Sequence, residues 1–414
     1  MSANLVHDTW YRRMRSAAAT AAHALDDSVS RLVRRKRRVL FEAASPVSVE
    51  VFRPVYERLR HDPRLEFNFT SCDRHWNAQS IFANSGFEGR VATPSDVQWQ
   101  KFDLYINADF WNVTWLPRRP KRVHLFHGVA GKYELDAPVQ IAPVVASFDR
   151  LLFPNADRLN RYVEAGIVAK DSPQAVLAGY PKVDRLVDGS LDGATIRRSL
   201  GLRSDQPTVL YAPTWSPYSS LNHMGEAVIE ALIASGTNVL VKLHDRSIDG
   251  TKRGSGGIDW RTRLQRFSES GAIHLAERAD VSPYLAAADA LVTDHSSVGF
   301  EYMLLDRPIV VLDCPQLIAH ANVNPQKVRL LRSAARVVHG AAELPGAIVD
   351  ELSAPARRSP ERRAIADDLF YMPGGAAARA AHAVYDLLGM PEPVLVSEPV
   401  PGMSALTTRP ARNS

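Results

Sequence analysis

The chain has 414 residues, 45% of them apolar and 23% charged, which is enough for about two globular domains and excludes a disordered protein. Lys plus Arg number 50 against 45 Asp plus Glu, a formal charge of +5 that is too modest to argue for nucleic acid but suits a polyanionic substrate or an anionic membrane surface. Cys72 and Cys314 are far apart and lack metal-ligand spacing, so neither a disulfide framework nor a zinc site is indicated, and no run approaches the roughly 18 apolar residues of a membrane span.

Residues 1–38 read as a basic helical leader, with Arg12, Arg13 and Arg15 before an alanine-rich stretch and Arg31, Arg34, Arg35, Lys36, Arg37 and Arg38 after it. The stretch is weakly hydrophobic and runs at once into Asp26 and Asp27, so it does not read as a signal peptide. A solvated arm and a peripheral contact with the anionic inner face of the plasma membrane explain this leader equally well, and the expected location is cytoplasmic.

From residue 39 short apolar runs alternate with helical stretches, the rhythm of βα units around parallel sheets. "VLFEAA", "LEFNFTS", "FDLYINA", "RVHLFH", "RLLFPN" and "AVLAGY" are the expected strands of residues 39–190, with "PVSVEVFRPVYERLRHD" as a helix after the first. Gly, Asp and Ser gather at 187–193 as they do in linkers. A second series, "PTVLYAPTW", "TNVLVKLH", "AIHLAE", "DALVTD" and "PIVVLD", fills 191–372. A helix over 373–390 is expected to pack back towards the first unit, and 391–414, rich in Pro, Ser and Thr, to be a disordered tail. Two doubly wound, Rossmann-like domains in an α/β chain place a cleft between the carboxyl ends of their sheets, where ligands of such folds bind.

Four polar clusters fall at these strand ends. In "HLFHGVAGK", His124 and His127 are three apart, so on a regular strand they point in opposite directions and do not share a metal. His127 stands beside Gly128, where backbone can approach a ligand, and an imidazole there can take a proton from a hydroxyl near neutral pH. A hydrogen-bonded histidine that merely ends a strand fits the same pattern. In "VLVKLHD", Lys242 and His244 share a side of the expected strand, a cation and a donor for a phosphate whose charge grows; a solvated lysine is the plainer reading.

In "LYAPTWSP", Pro213 ends the ladder and puts Thr214 and Trp215 at the cleft mouth, as phosphate and base contacts or, for the tryptophan, as core. In "VTDHSSVGFE", Ser296 and Ser297 fall at an expected helix start with Glu301 one turn on. The serines and free N–H groups suit a diphosphate and Glu301 a ribose diol, against an ordinary cap with a surface glutamate.

Taken in order, the four clusters resemble the CDP-glycerol glycerophosphotransferase family of teichoic-acid and capsule polymerases and primases. The residues that carry the resemblance are His127-Gly128 through Lys132, Tyr211-Ala212-Pro213-Thr214-Trp215, Lys242-Leu243-His244, Thr293-Asp294-His295-Ser296-Ser297 with Glu301, and Asp306-Arg307-Pro308. Val129-Ala130 replaces the family's Thr-Pro, Asp245 its proline after the second histidine, and His295 its usual tyrosine.

The resemblance implies a GT-B fold with residues 39–190 as acceptor domain and 191–372 as nucleotide-donor domain. It also implies attack of an acceptor hydroxyl on the glycerol-bearing phosphorus of CDP-glycerol, or another CDP-polyol, with loss of CMP. His127 is then the base, while His244, Lys242 and Thr214 steady the developing charge. Ser296 and Ser297 take the diphosphate and Glu301 the ribose, with Trp215, Thr293 and Asp294 on the donor side and Gly128 and Lys132 on the acceptor side. A lipid-linked or glycan acceptor is implied, in cell-wall or capsule synthesis, with no metal and no cofactor required. Two other readings share the pattern: a GT-B glycosyltransferase using a UDP- or GDP-sugar, and a non-catalytic nucleotide-binding protein, which the altered "HGVAGK" loop favours.

Overall fold

The computed structural model describes residues 36–393 apart from 74–75, 83–84, 111–115, 117–118, 130–137, 249, 251 and 322. Nearly all of the basic leader, Lys132 and the tail from residue 394 lie outside the described residues.

Seven parallel strands build the first sheet: β1 (Arg37–Glu42), β2 (Leu65–Thr70), β3 (Arg90–Val91), β4 (Leu104–Asn107), β5 (Lys121–Leu125), β6 (Arg150–Phe153) and β7 (Ala175–Leu177), in the order β3-β2-β1-β4-β5-β6-β7. Six more build the second: β8 (Thr208–Tyr211), β9 (Asn238–Val241), β10 (His274–Leu275), β11 (Ala290–Thr293), β12 (Ile309–Leu312) and β13 (Arg336–Val338), in the order β10-β9-β8-β11-β12-β13. The order reverses between β1 and β4 and again between β8 and β11. In such sheets that reversal opens a crevice at the carboxyl ends of the two neighbouring strands.

The strands are nearly continuous apolar runs because both faces of each sheet are covered. Successive residues of β1 go to different cores, Val39 and Phe41 to one and Leu40 to the other; Val310 and Leu312 of β12 likewise part from Ile309 and Val311. In the first unit, Phe41 and Phe69 meet Phe52 and Tyr56 of helix Pro46–Leu59 in an aromatic cluster. The apolar pattern does not predict β3 and β13, strands of two and three residues that each begin on an arginine.

The chain crosses back after the second sheet. Helix Ser359–Leu369 packs on helix Val298–Met303 and on helix Ala156–Glu164 of the first unit, and helix Ala376–Leu388 packs on helix Pro46–Leu59. Asp184 caps this last helix, accepting the N–H groups of Gly374, Ala376 and Ala377 at 2.8, 3.1 and 2.7 Å. Gly179 has φ +88°, and a Cβ there would stand 2.5 Å from the Tyr371 carbonyl oxygen, so only glycine lets the returning chain approach β7. Among the described residues no helix is long and apolar enough to cross a membrane.

Asp306 tightens the second unit. Its φ is +50°, and its carboxylate receives Ser359 Oγ at 2.6 Å, Arg362 Nε at 2.9 Å and Arg363 Nε at 2.8 Å. Burial works to raise its pKa, but the Ser359, Arg363 and Arg362 groups outweigh it and hold the carboxyl below the usual range. A depressed carboxyl stabilises the fold above its unfolded pKa, and that contribution is lost as pH falls through the folded value. Asn also tolerates positive φ, so Asp306→Asn isolates the charge. It is expected to cost about 1–2 kcal/mol at pH 7, with the gap to wild type narrowing towards pH 3, as read from urea midpoints.

Candidate active site

Contacts between the units run through residues that follow strands. Lys182, beyond β7, places its ammonium 2.7 Å from each Glu301 oxygen, beyond β11. Asp245, beyond β9, accepts the backbone N–H of Val47, beyond β1. The Arg246 guanidinium lies between Trp76, beyond β2, at 5.3 Å and Trp215, beyond β8, at 5.0 Å. The carboxyl ends of the two sheets therefore face one another.

His127 lies two residues past the end of β5, more than half exposed, whereas His124, inside the strand, is buried against Phe110 with its Nδ1 2.8 Å from Asn107 Oδ1. Burial, then the nearby His127 and Arg158, press the His124 pKa well below its ordinary value, so it is neutral packing and not a second base. His127 Nδ1 is 3.2 Å from the Ala108 carbonyl oxygen. A carbonyl only accepts, so Nδ1 carries a proton, and in the neutral ring Nε2 is the nitrogen with the lone pair. Tyr180 Oη donates to the His127 carbonyl at 3.0 Å and Arg158 Nη1 to that of Gly128 at 2.8 Å, which pins the loop from both sides. Among the described residues a Cβ at Gly128 would meet no atom within 4 Å.

Lys242 and His244 are not strand residues, since β9 ends at Val241, and the alternation expected for them does not apply. The Lys242 ammonium, nine-tenths buried, donates to the Leu243 carbonyl at 2.7 Å. Burial lowers its pKa, opposed by Asp245, whose own carboxyl burial raises against the pull of Lys242. His244 Nδ1 accepts the Arg246 backbone N–H at 3.1 Å, so its Nε2 carries the proton in the neutral ring. In the neutral ring the two histidines are thus set in opposite tautomers, His127 protonated at Nδ1 and His244 at Nε2.

At the β8/β11 reversal, Asp294 accepts Thr214 N at 2.8 Å and both Ser220 N and Oγ at 3.1 Å, while Thr293 Oγ1 donates to the Ala212 carbonyl at 2.7 Å. Both residues are fully buried, and the bonds that Thr293 and Asp294 make shape the loop that carries Thr214 and Trp215. Thr214 is itself 4% exposed and Trp215 half-buried. Ser297 starts helix Val298–Met303 without capping it by its side chain, and Ser296 is 7% exposed beside it. His295, at 3% exposure, packs in the interior. Glu301 is not at the surface; its carboxylate is 4% exposed and held at both oxygens by Lys182. Lys132 lies outside the described residues.

Sequence reasoning passes over Asp109, Tyr180, Lys182 and Arg246. Asp109 and Lys182 each closely follow an apolar run, the same signal that singles out His127.

The family model for CDP-glycerol:poly(glycerophosphate) glycerophosphotransferases matches residues 95–314, more than half of the chain and parts of both sheets. A teichoic acid poly(glycerol phosphate) polymerase of Staphylococcus epidermidis is 30% identical over 167 residues, 39% of this chain and 22% of that protein. A teichoic acid glycerol-phosphate transferase of Staphylococcus aureus is 27% identical over 173 residues, 39% of this chain and 40% of that protein. The matched stretches therefore span less than half of either relative.

The solved structure of the wall teichoic acid polymerase TagF superposes with a TM-score of 0.62 at 17% identity, over 91% of this chain and 97% of that one. A co-structure of S. aureus MnaA with UDP gives 0.55 at 14%, over 86% and 97%. These likenesses place the architecture in the GT-B class. With the family model spanning both units, the chain belongs to the CDP-glycerol:poly(glycerophosphate) glycerophosphotransferase family.

Proposed function

We propose that this protein transfers glycerol phosphate, or a related polyol phosphate, from a CDP-activated donor to a hydroxyl acceptor and releases CMP in the synthesis of a wall or surface polymer. The observation that carries the reading is the pair of histidines in opposite tautomers beyond the ends of β5 and β9. Nε2 of His127 can take the acceptor proton, and Nε2–H of His244 can donate to a phosphate oxygen as charge builds. Lys242 adds a buried positive charge beside that donor, and Ser296 and Ser297 supply hydroxyls for the diphosphate. Because Lys182 already holds Glu301, the ribose diol is proposed to meet a carboxylate fixed in place rather than a free one.

The acceptor is proposed to be lipid-linked or glycan. Incubation of the full chain with CDP-glycerol and a cell lipid extract is expected to release CMP and yield a product heavier by one or more glycerol phosphate units in mass spectrometry. In thermal-shift titration, CDP-glycerol and CMP are expected to raise Tm more than UDP or GDP. Stabilisation by UDP or GDP alone would turn the assignment to a sugar nucleotide.

A further inference from the structure

The first sheet reverses its strand order between β1 and β4, and two residues meet across that point. Ser48, in the first turn of helix Pro46–Leu59, donates its hydroxyl to Asp109 Oδ2 at 2.6 Å. The other oxygen, Oδ1, stands 3.3 Å from His127 Nδ1. The Asp109 side chain is 14% exposed, so it acts on His127 through little water.

Beneath it runs a chain of buried hydrogen bonds. Asn107 Nδ2 donates to the Asp109 carbonyl at 2.9 Å and to Tyr105 Oη at 3.0 Å; Tyr105 Oη donates to Glu42; Asn107 Oδ1 accepts from His124 Nδ1 at 2.8 Å. Each partner fixes the next, so the peptide at Asp109 has little freedom to turn its carboxylate away. Among the described residues, Asp109, His124, Arg158 and Tyr180 stand near His127, with Glu301 acting on Tyr180 behind it, and Asp109 brings a carboxylate to within 3.3 Å of the ring.

We infer that Asp109, braced by Ser48, is the positioning residue for His127: its carboxylate, at ion-pair distance from Nδ1, favours the proton that Nδ1 gives to the Ala108 carbonyl, so keeps Nε2 for the acceptor hydroxyl and stabilises the imidazolium formed in transfer. This rests on the proposed phosphoryl transfer. In that step the acceptor O–H breaks and its proton goes to Nε2. The freed oxygen pair forms the new O–P bond while the P–O bond to CMP breaks, with CMP keeping that electron pair. The imidazolium then releases its proton to water. A carboxylate beside Nδ1–H favours both the required neutral tautomer and the charged ring, the electrostatic part of the logic by which an acid orients a catalytic histidine elsewhere.

The test uses the full chain with Asp109→Asn, Asp109→Ala and Ser48→Ala. Asp109→Asn keeps the size and an acceptor for Ser48, so its Tm and its KM for CDP-glycerol are expected to stay near wild type while kcat falls about 10- to 100-fold. Ser48→Ala is expected to lower kcat in the same direction by less. Nitrogen-15 NMR of the histidines, with His127→Gln to identify the signal, is expected to show Nδ1–H in wild type and a measurable Nε2–H fraction in the Asp109 variants.

A wild-type tautomer and wild-type kcat in both Asp109 variants would overturn the role. So would a loss of kcat that tracks a lowered Tm with the tautomer unchanged. The tautomer is read without turnover, so failure of the donor assignment leaves this inference independently decided.

Discussion

His127→Ala is expected to reduce CMP release from CDP-glycerol by about 10²- to 10⁴-fold, the range for removing a positioned general base. The side chain is more than half exposed and its ring bonds to the carbonyl of Ala108. Its removal leaves no buried cavity, so Tm is expected to change little. Donor affinity is expected to survive as well, because the groups proposed to hold the nucleotide come from the other sheet. The combination of lost kcat, retained Tm and retained CMP binding separates a base from a structural histidine. Turnover that survives the substitution would remove the base assignment.

The second large effect concerns Lys182 and Glu301. Both are nearly buried, 9% and 4% exposed at the side chain, and joined at 2.7 Å across the two units. Removing one partner leaves an uncompensated charge in a dry place, so Lys182→Met and Glu301→Gln are each expected to cost about 3–5 kcal/mol, measured by urea unfolding. The double variant Lys182→Met, Glu301→Leu removes both charges and is expected to recover most of that stability. Its CMP binding is expected to stay weak, because the proposed ribose contact is gone. Full binding by the double variant would take Glu301 out of the donor site.

The alternation of apolar runs with helical stretches is enough to read two parallel sheets, because a sheet covered on both faces demands strands without polar interruptions. The short edge strands β3 and β13, each opening on an arginine, escape that reading. Lys242 and His244 read as neighbours on a strand, but the strand ends before them, and ladder ends depend on tertiary pairing more than on local pattern. Thr293 and Asp294 look like ligand contacts since they sit between a strand and two serines. Their hydrogen bonds go instead to a loop some 80 residues earlier, at Ala212 and Thr214, a partnership no local spacing can show.

By itself the sequence determined the class of fold, the strand ends where chemistry gathers and, through four ordered clusters, the resemblance that the family model bears out. These are local properties, set by residue type and period along the chain. The tertiary structure decided which strand-end residues are exposed and which are buried and bonded to other segments. It put Asp109 and Ser48 behind His127, placed Lys182 on Glu301, and set the two histidines in opposite tautomers. Apart from the local bond of His244 to Arg246, these arrangements join segments separated along the chain, and the Lys182–Glu301 pair exists only once both sheets have turned their carboxyl ends together.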